Sequence, residues 1–215
     1  MTTKQKLQQF KDYYLAGTLA VLAVAAVVLY MVFRFVAPKE EPVLMVAVFD
    51  TDLSDEAQEE LAGTVRAKLG LEAGAEIEVD SGYSSVNTNE YSRLSLMASS
   101  GKVDVAIAGE EVFAELAGYG YFKDLSQFLP GEMQAEYAEA LRSFAYESDA
   151  AAEDAQQMGE IASGEYTFGL SLSGSGRWKS MTKGSSLAPQ EPVLGVIMES
   201  ENSDSIFGLI RVLMD

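Results

Sequence analysis

The sequence predicts an α/β protein in two parts, an N-terminal transmembrane helix followed by a three-layer α/β domain with a mainly parallel sheet. Three observations carry this. Residues 15–33, LAGTLAVLAVAAVVLYMVF, run nineteen positions without a charge. Residues 43–118 alternate short apolar runs with amphipathic helical stripes, and helices between strands imply parallel pairing through right-handed crossovers. The charge divides at the same place. Residues 1–42 hold five basic against three acidic side chains, whereas residues 43–215 hold ten against thirty.

As a helix, the uncharged run is about 28 Å long, close to a hydrocarbon core of about 30 Å. A buried core helix would show a polar face, and this one has none. A cleaved signal peptide has a shorter apolar region and a small-residue cleavage site, but MVFRFVAPKE follows here. Tyr13, Tyr14 and Tyr30 suit the membrane interface, and Arg34 can snorkel. The span is therefore expected over residues 15–36, held in the lipid bilayer. Residues 1–14 carry three lysines and one aspartate, while Arg34 and Lys39 are soon countered by Glu40 and Glu41. That bias puts residues 1–14 in the cytoplasm and the rest outside, a single-pass cell-membrane protein. Residues 37–42, APKEEP, form a short proline-stiffened linker. Residues 43–215 are then the extracytoplasmic domain.

Within that domain, VLMVAVF (43–49) is a near-continuous apolar run that predicts a central strand. Ser54 can cap the next helix, with Asp55 and Glu56 in its first turn. Ala57, Leu61, Val65 and Leu69 recur every four residues, and Gly70 ends the stripe. AEIEVD (75–80) alternates as a less buried strand, and SGYSSVNTNE (81–90) is a polar loop. Asn87, Thr88 or Asn89 can cap a helix in which Tyr91, Leu94, Met97 and Ala98 share a face. Gly101 stops it. Residues 103–108 form a third strand, and 110–118 a helix with Val112, Phe113 and Leu116 inward.

Further on, FKDLSQFL (122–129) predicts a short helix. Residues 132–146 predict a longer amphipathic one, with Met133, Tyr137, Leu141 and Phe144 on one side. Residues 147–160 are acidic and alanine-rich, a helix or surface excursion. EYTFGLSLSG (165–174) alternates as a strand, and residues 174–192 form a long Gly/Ser/Pro-rich loop. VLGVIM (193–198) is a last strand. Asn202 or Ser203 caps a final helix with Ile206, Phe207, Leu209, Ile210 and Leu213 inward.

The chemistry available is narrow. There is no cysteine and no histidine, which removes disulfides, thiolate nucleophiles, Ser-His triads and ordinary zinc sites. So acidic a domain is repelled by nucleic acid and anionic lipid. Its charge serves solubility or the attraction of a cationic ligand or partner. DTDLSDE (50–56) fails as a calcium loop, because Asp55 and Leu61 stand where glycine and glutamate are needed. GSGRW (174–178) lacks the Lys-Ser/Thr ending of a phosphate loop. Acid pairs are many, but none has a spacing that indicates hydrolase geometry. No catalytic residues, metal or cofactor are expected. Trp178, the only tryptophan, lines a ligand cleft or partner surface, or folds back on the core. Asp104 interrupts the third apolar run and is read as a structural acid at the strand's start, since a buried carboxylate needs hydrogen-bond partners.

The order of segments resembles the extracytoplasmic solute-binding proteins of ABC importers. The matching parts are residues 43–49, 76–80, MASSGKVDVAIAG (97–109) and GYGYFKDLSQFL (118–129), which carries a G-aromatic-x-x-Asp-Leu step. The strand and helix of VIMESENSDSIFGLIRVLM (196–214) also match, with Asn202 opening the helix. The resemblance implies a truncated type II periplasmic-binding fold, and it too places an acid at Asp104. Two departures stand out. The middle of a second lobe is missing from residues 131–192, and an uncleaved helix replaces a lipidated cysteine.

In open α/β sheets, ligands sit beyond the carboxyl ends of the strands. That places any small polar ligand near Asp50 and Thr51, the loop residues Ser84, Ser85, Asn87 and Thr88, and Gly109 and Glu110, with Trp178 as the aromatic candidate. Ordinary loop and capping chemistry is the alternative for the same residues. The expected function is a non-catalytic, membrane-anchored binding or accessory module, part of or beside a membrane complex with a membrane-protein partner. The alternative is small-solute capture for an importer or sensor.

Overall fold

The computed structural model describes residues 15–36, 42–72, 74–146 and 163–215, and the chain forms two compact units, Met1–Glu40 and Glu41–Asp215. Residues 1–14, most of the linker and the acidic stretch 147–160 lie outside the described residues.

In the first unit, α1 (Leu15–Val36) is a 22-residue helix whose one charge is Arg34. Its described side chains are those of residues 19–32, and the large apolar ones from Leu19 to Val32 are 51–69% exposed. The helix expected from the apolar run is present. Among the described residues, however, no helix is long and apolar enough to cross a membrane, so the expected span is not found there.

The second unit is an α/β domain around one six-stranded sheet. The strands are β1 (Leu44–Phe49), β2 (Ile77–Tyr83), β3 (Val105–Gly109), β4 (Leu141–Tyr146), β5 (Gly164–Ser171) and β6 (Pro192–Val196), in the order β2-β1-β3-β6-β5-β4. All six residues of β1 are buried, as a strand covered on both faces requires. Leu44, Val46 and Val48 enter one apolar cluster, while Met45, Ala47 and Phe49 enter the other. This is the period-two alternation of a strand between two helical layers.

On the first face, α2 (Asp55–Leu69), α5 (Leu125–Phe128), α6 (Gly131–Glu136), α7 (Gly176–Met181) and α8 (Ser203–Met214) contribute buried residues such as Leu61, Leu125, Met133, Trp178 and Leu209. On the second, α3 (Thr88–Ser99) and α4 (Glu110–Gly118) contribute Leu94, Phe113 and Leu116. The three layers are those expected.

The caps follow the sequence. Ser54 accepts from the Ala57 N–H at 3.2 Å to open α2, and Gly70, at φ 63°, closes it. The Asn87 side chain accepts from the Asn89 N–H at 3.1 Å to open α3.

The expected parallel pairing holds for the core strands, but the sheet as a whole is mixed. β2 and β3 run parallel to β1, but β6, β5 and β4 are joined by antiparallel pairs. The helical crossovers that enforce parallel pairing end with β3. β6 enters the sheet from the opposite end, with Pro192 beside Gly109.

The helix expected over 132–146 is also corrected. Met133 and Tyr137 share a helical face, but α6 stops at Glu136 and the chain turns into β4. In β4, Phe144 and Tyr146 are buried and the residue between them is exposed, a strand period. The helix expected over 122–129 shortens to α5, because Phe122 instead bridges Ile197 in the sheet. The long loop from 174 contains α7, opened by the Ser175 hydroxyl accepting from the Trp178 N–H at 2.8 Å.

Candidate functional site

The turn at the carboxyl end of β1 is the most constrained part of the expected site. Asp50 adopts φ 47°, a left-handed conformation unusual for a residue with a side chain, although aspartate tolerates it better than most. Its N–H donates to the Tyr83 carbonyl at 2.9 Å, and its Oδ1 accepts from the Ser85 N–H at 2.9 Å. One residue thus ties the end of β1 to the end of β2 and to the loop after it. Thr51 lies beneath at 2% exposure, its hydroxyl donating to the Phe49 carbonyl at 3.0 Å.

The loop closes on itself in the same way. The Asn87 N–H donates to the Ser84 carbonyl at 3.3 Å, while the Asn87 side chain caps α3. Ser84 and Ser85 are half-buried. Thr88 opens α3, and its side chain lies outside the described residues. Asp50, Thr51 and Asn87 therefore spend hydrogen bonds on their own loop, which is the capping chemistry weighed above.

Across the switch in strand order, Gly109 ends β3 and Glu110 opens α4. A Cβ on Gly109 would stand 3.0 Å from the Pro189 Cβ, so Pro189 packs directly over this end. The Glu110 N–H donates to the Glu191 carbonyl at 3.0 Å, and the Asp52 N–H points at the Ser185 hydroxyl at 3.4 Å. The strap formed by residues 182–191 thus crosses the crevice between β1 and β3.

Glu110 has its carboxyl pKa raised above the usual 4.5. The main cause is a side-chain hydrogen bond with Glu191, followed by burial and the like charge of Glu191; Arg142 partly offsets these. This rim is acidic. Among the described residues, no cluster of three or more aspartates or glutamates is placed to hold a metal ion.

Trp178 does not join the site. It is 3% exposed and packs in the first-face core with residues of α2 and α8. It takes the fold-back alternative, because α7 turns its indole inward.

Asp104 is buried at the opposite end of the central strands, just before β3. Its Oδ2 accepts from the Met45 N–H at 2.8 Å, and its Oδ1 accepts from the Ser200 hydroxyl and from Asn202 Nδ2 at 2.9 Å. It locks β1 and β3 to the turn before α8, the structural role its place in the apolar run suggests. Above it lies a polar cleft of about 420 Å3, lined by residues that include Ser100, Gly101, Glu199 and Glu201.

Sequence reasoning missed two things. One is the strap, whose Ser185 and Glu191 meet residues far away in the chain. The other is a groove of about 710 Å3 between α2, α7 and α8, which brings Lys68 and Arg177 together. The only sequence signal for it was the scarcity of basic residues in so acidic a domain. No protein-family model, no curated protein and no solved structure matches the chain.

Proposed function

We propose that the chain is a non-catalytic binding or accessory module, anchored by residues 15–36 and displaying its α/β unit outside the cell beside a membrane complex. The observation that carries this is the sequence of residues 15–33, nineteen positions without a charge, and it is supported by the exposure of more than half of each large apolar side chain described in α1. A helix apolar all round needs an apolar surrounding. The fold fits a shortened relative of the type II periplasmic-binding proteins, supported by the β-α-β-α-β order of β1 to β3 and the strand-helix pair that ends the chain. The inward-directed hydrogen bonds of Asp50, Thr51 and Asn87 favour a structural rim there over solute capture.

The chain has no cysteine, so single introduced thiols report topology cleanly. On intact cells, a membrane-impermeant maleimide should label Val86→Cys, while Thr3→Cys should react only after lysis. The full chain should stay in the membrane pellet through alkaline carbonate extraction. Leu22→Asp with Val27→Asp should release it, because each mid-helix carboxylate costs about 3 kcal/mol of insertion. Release of the unaltered chain would refute the anchor, and a reversed labelling pattern would refute the orientation.

A further inference from the structure

We propose that the groove between α2, α7 and α8 docks an acidic segment of a partner protein, whose carboxylates pair with Lys68 and Arg177. The inference rests on the reading above only in taking the α/β unit for a binding module.

The first argument is charge contrast. Residues 43–215 carry ten basic side chains against thirty acidic ones, yet these three helices are balanced: Arg66, Lys68, Arg177, Lys179 and Arg211 stand against Asp55, Glu56, Glu59, Glu60 and Asp204. The acids of α2 crowd its first half and its bases the last turn. An acidic partner is repelled by most of this surface and meets cations here.

The second argument is the arrangement of the two cations. Arg177 donates from Nη1 to Glu60 Oε1 and from Nη2 to Thr64 Oγ1, both at 2.8 Å. These contacts hold the guanidinium fork against α2, so less side-chain freedom remains to be lost when a ligand arrives. Lys68 Nζ stands 3.8 Å from Asp215 Oδ2 in a loose, exposed pair, of a kind worth little in water and readily exchanged. Both cations already face carboxylates, which is the chemistry of the proposed occupant.

Ala67 and Val212 add apolar lining, and a Cβ on Gly176, the first residue of α7, would meet nothing within 4 Å. A concave, partly apolar channel suits a peptide with acidic and aliphatic side chains better than it suits a flat layer of lipid headgroups. The domain's overall charge also repels an anionic bilayer.

The test is fluorescence anisotropy of a fluorescein-labelled peptide of alternating glutamate and leucine, titrated with the full chain in a neutral detergent. Binding should be saturable. Lys68→Gln and Arg177→Gln should each weaken it about two- to fivefold, and Asp215→Asn should strengthen it by a similar factor. Lys102→Gln makes the same charge change outside the groove and should leave binding unaltered. Circular dichroism checks folding; if Arg177→Gln does not fold, the opposite signs at Lys68 and Asp215 still decide. Absence of saturable binding, or equal weakening by Lys102→Gln, would overturn the proposal. So would Lys68-dependent binding that prefers inorganic phosphate or phosphatidylglycerol vesicles to the peptide. Carbonate extraction of Lys68→Gln should match that of the unaltered chain, so a failed anchor and a failed groove are told apart.

Discussion

Asp104 shows how one side chain can decide a fold locally. A buried carboxylate is costly unless its lone pairs are occupied, and this one accepts from the Met45 N–H, the Ser200 hydroxyl and the Asn202 amide. Those donors come from two parts of the chain, β1 and the turn before α8, which Asp104 joins to the start of β3. Removing the acceptor leaves the Met45 N–H buried without its partner and frees the turn that starts α8. Hydrogen bonds to a charged group are worth about 1.5–3 kcal/mol each, and an orphaned buried donor costs about 1–3 kcal/mol. Asp104→Ala is therefore expected to lower unfolding stability by about 3 kcal/mol or more in urea titrations. Asp104→Asn keeps the shape and one acceptor oxygen, and should lose less. Equal midpoints for Asp104→Ala and the unaltered protein would show that the hub contributes nothing. Asp50, by contrast, anchors a loop at the rim, where water can replace what is lost.

Glycines separate the elements that pack tightly from those that do not. A Cβ on Gly195 in β6 would stand 2.7 Å from the Phe113 ring and 2.6 Å from the Phe122 ring. Those two rings are stacked at 4.3 Å between centroids and have little room to part. Gly63, within α2, has nothing within 4 Å of the same construction. Gly195→Ala is thus expected to destabilise by about 1–3 kcal/mol through overpacking. Gly63→Ala should stabilise by about 0.5–1 kcal/mol through helix propensity alone. Thermal melts of the two variants should move in opposite directions, and a parallel shift would contradict this packing. The same contrast explains which elements were legible in the sequence. β1, α2, α3 and α8 have apolar patterns that match their packing, and Ser54 and Asn87 cap α2 and α3 as expected, although Asn202 begins α8 with no side-chain cap and gives its amide to Asp104 instead. β4 was hidden because Tyr137, Leu141 and Phe144 mimic a helical stripe, whereas Phe144 is on a strand and packs against Phe113 of α4, ring centroids 4.8 Å apart. α7 was hidden because a Gly/Ser-rich stretch reads as loop until Ser175 finds the Trp178 N–H.

At the scale of the whole molecule, the carboxyl rim was readable as a place, because strand ends follow from strand order. Its closure was not, since Ser185 meets Asp52 across 133 residues and local pattern carries no such information. The groove was hidden for the same reason. What the sequence does state openly is charge: a net −18 overall, with the excess of acids confined to residues 43–215. Two electrostatic effects then compete in the folded domain. Exposed pairs such as Lys68–Asp215 and Arg177–Glu60 stabilise it, but each is worth at most about 1 kcal/mol and salt weakens it. Repulsion among the remaining carboxylates destabilises the compact state and is also weakened by salt. Acids outnumber bases three to one after residue 42, so repulsion is the larger sum. Raising sodium chloride from about 0.01 M to about 1 M shortens the screening length from about 30 Å to about 3 Å, which removes most of both. The melting temperature of the α/β unit within the full chain should therefore rise with salt. Lys68→Gln, which deletes an attraction and adds net negative charge, should make the rise steeper. A melting temperature that falls with sodium chloride would mean that the ion pairs outweigh the repulsion and that the acidic surface is locally balanced by them.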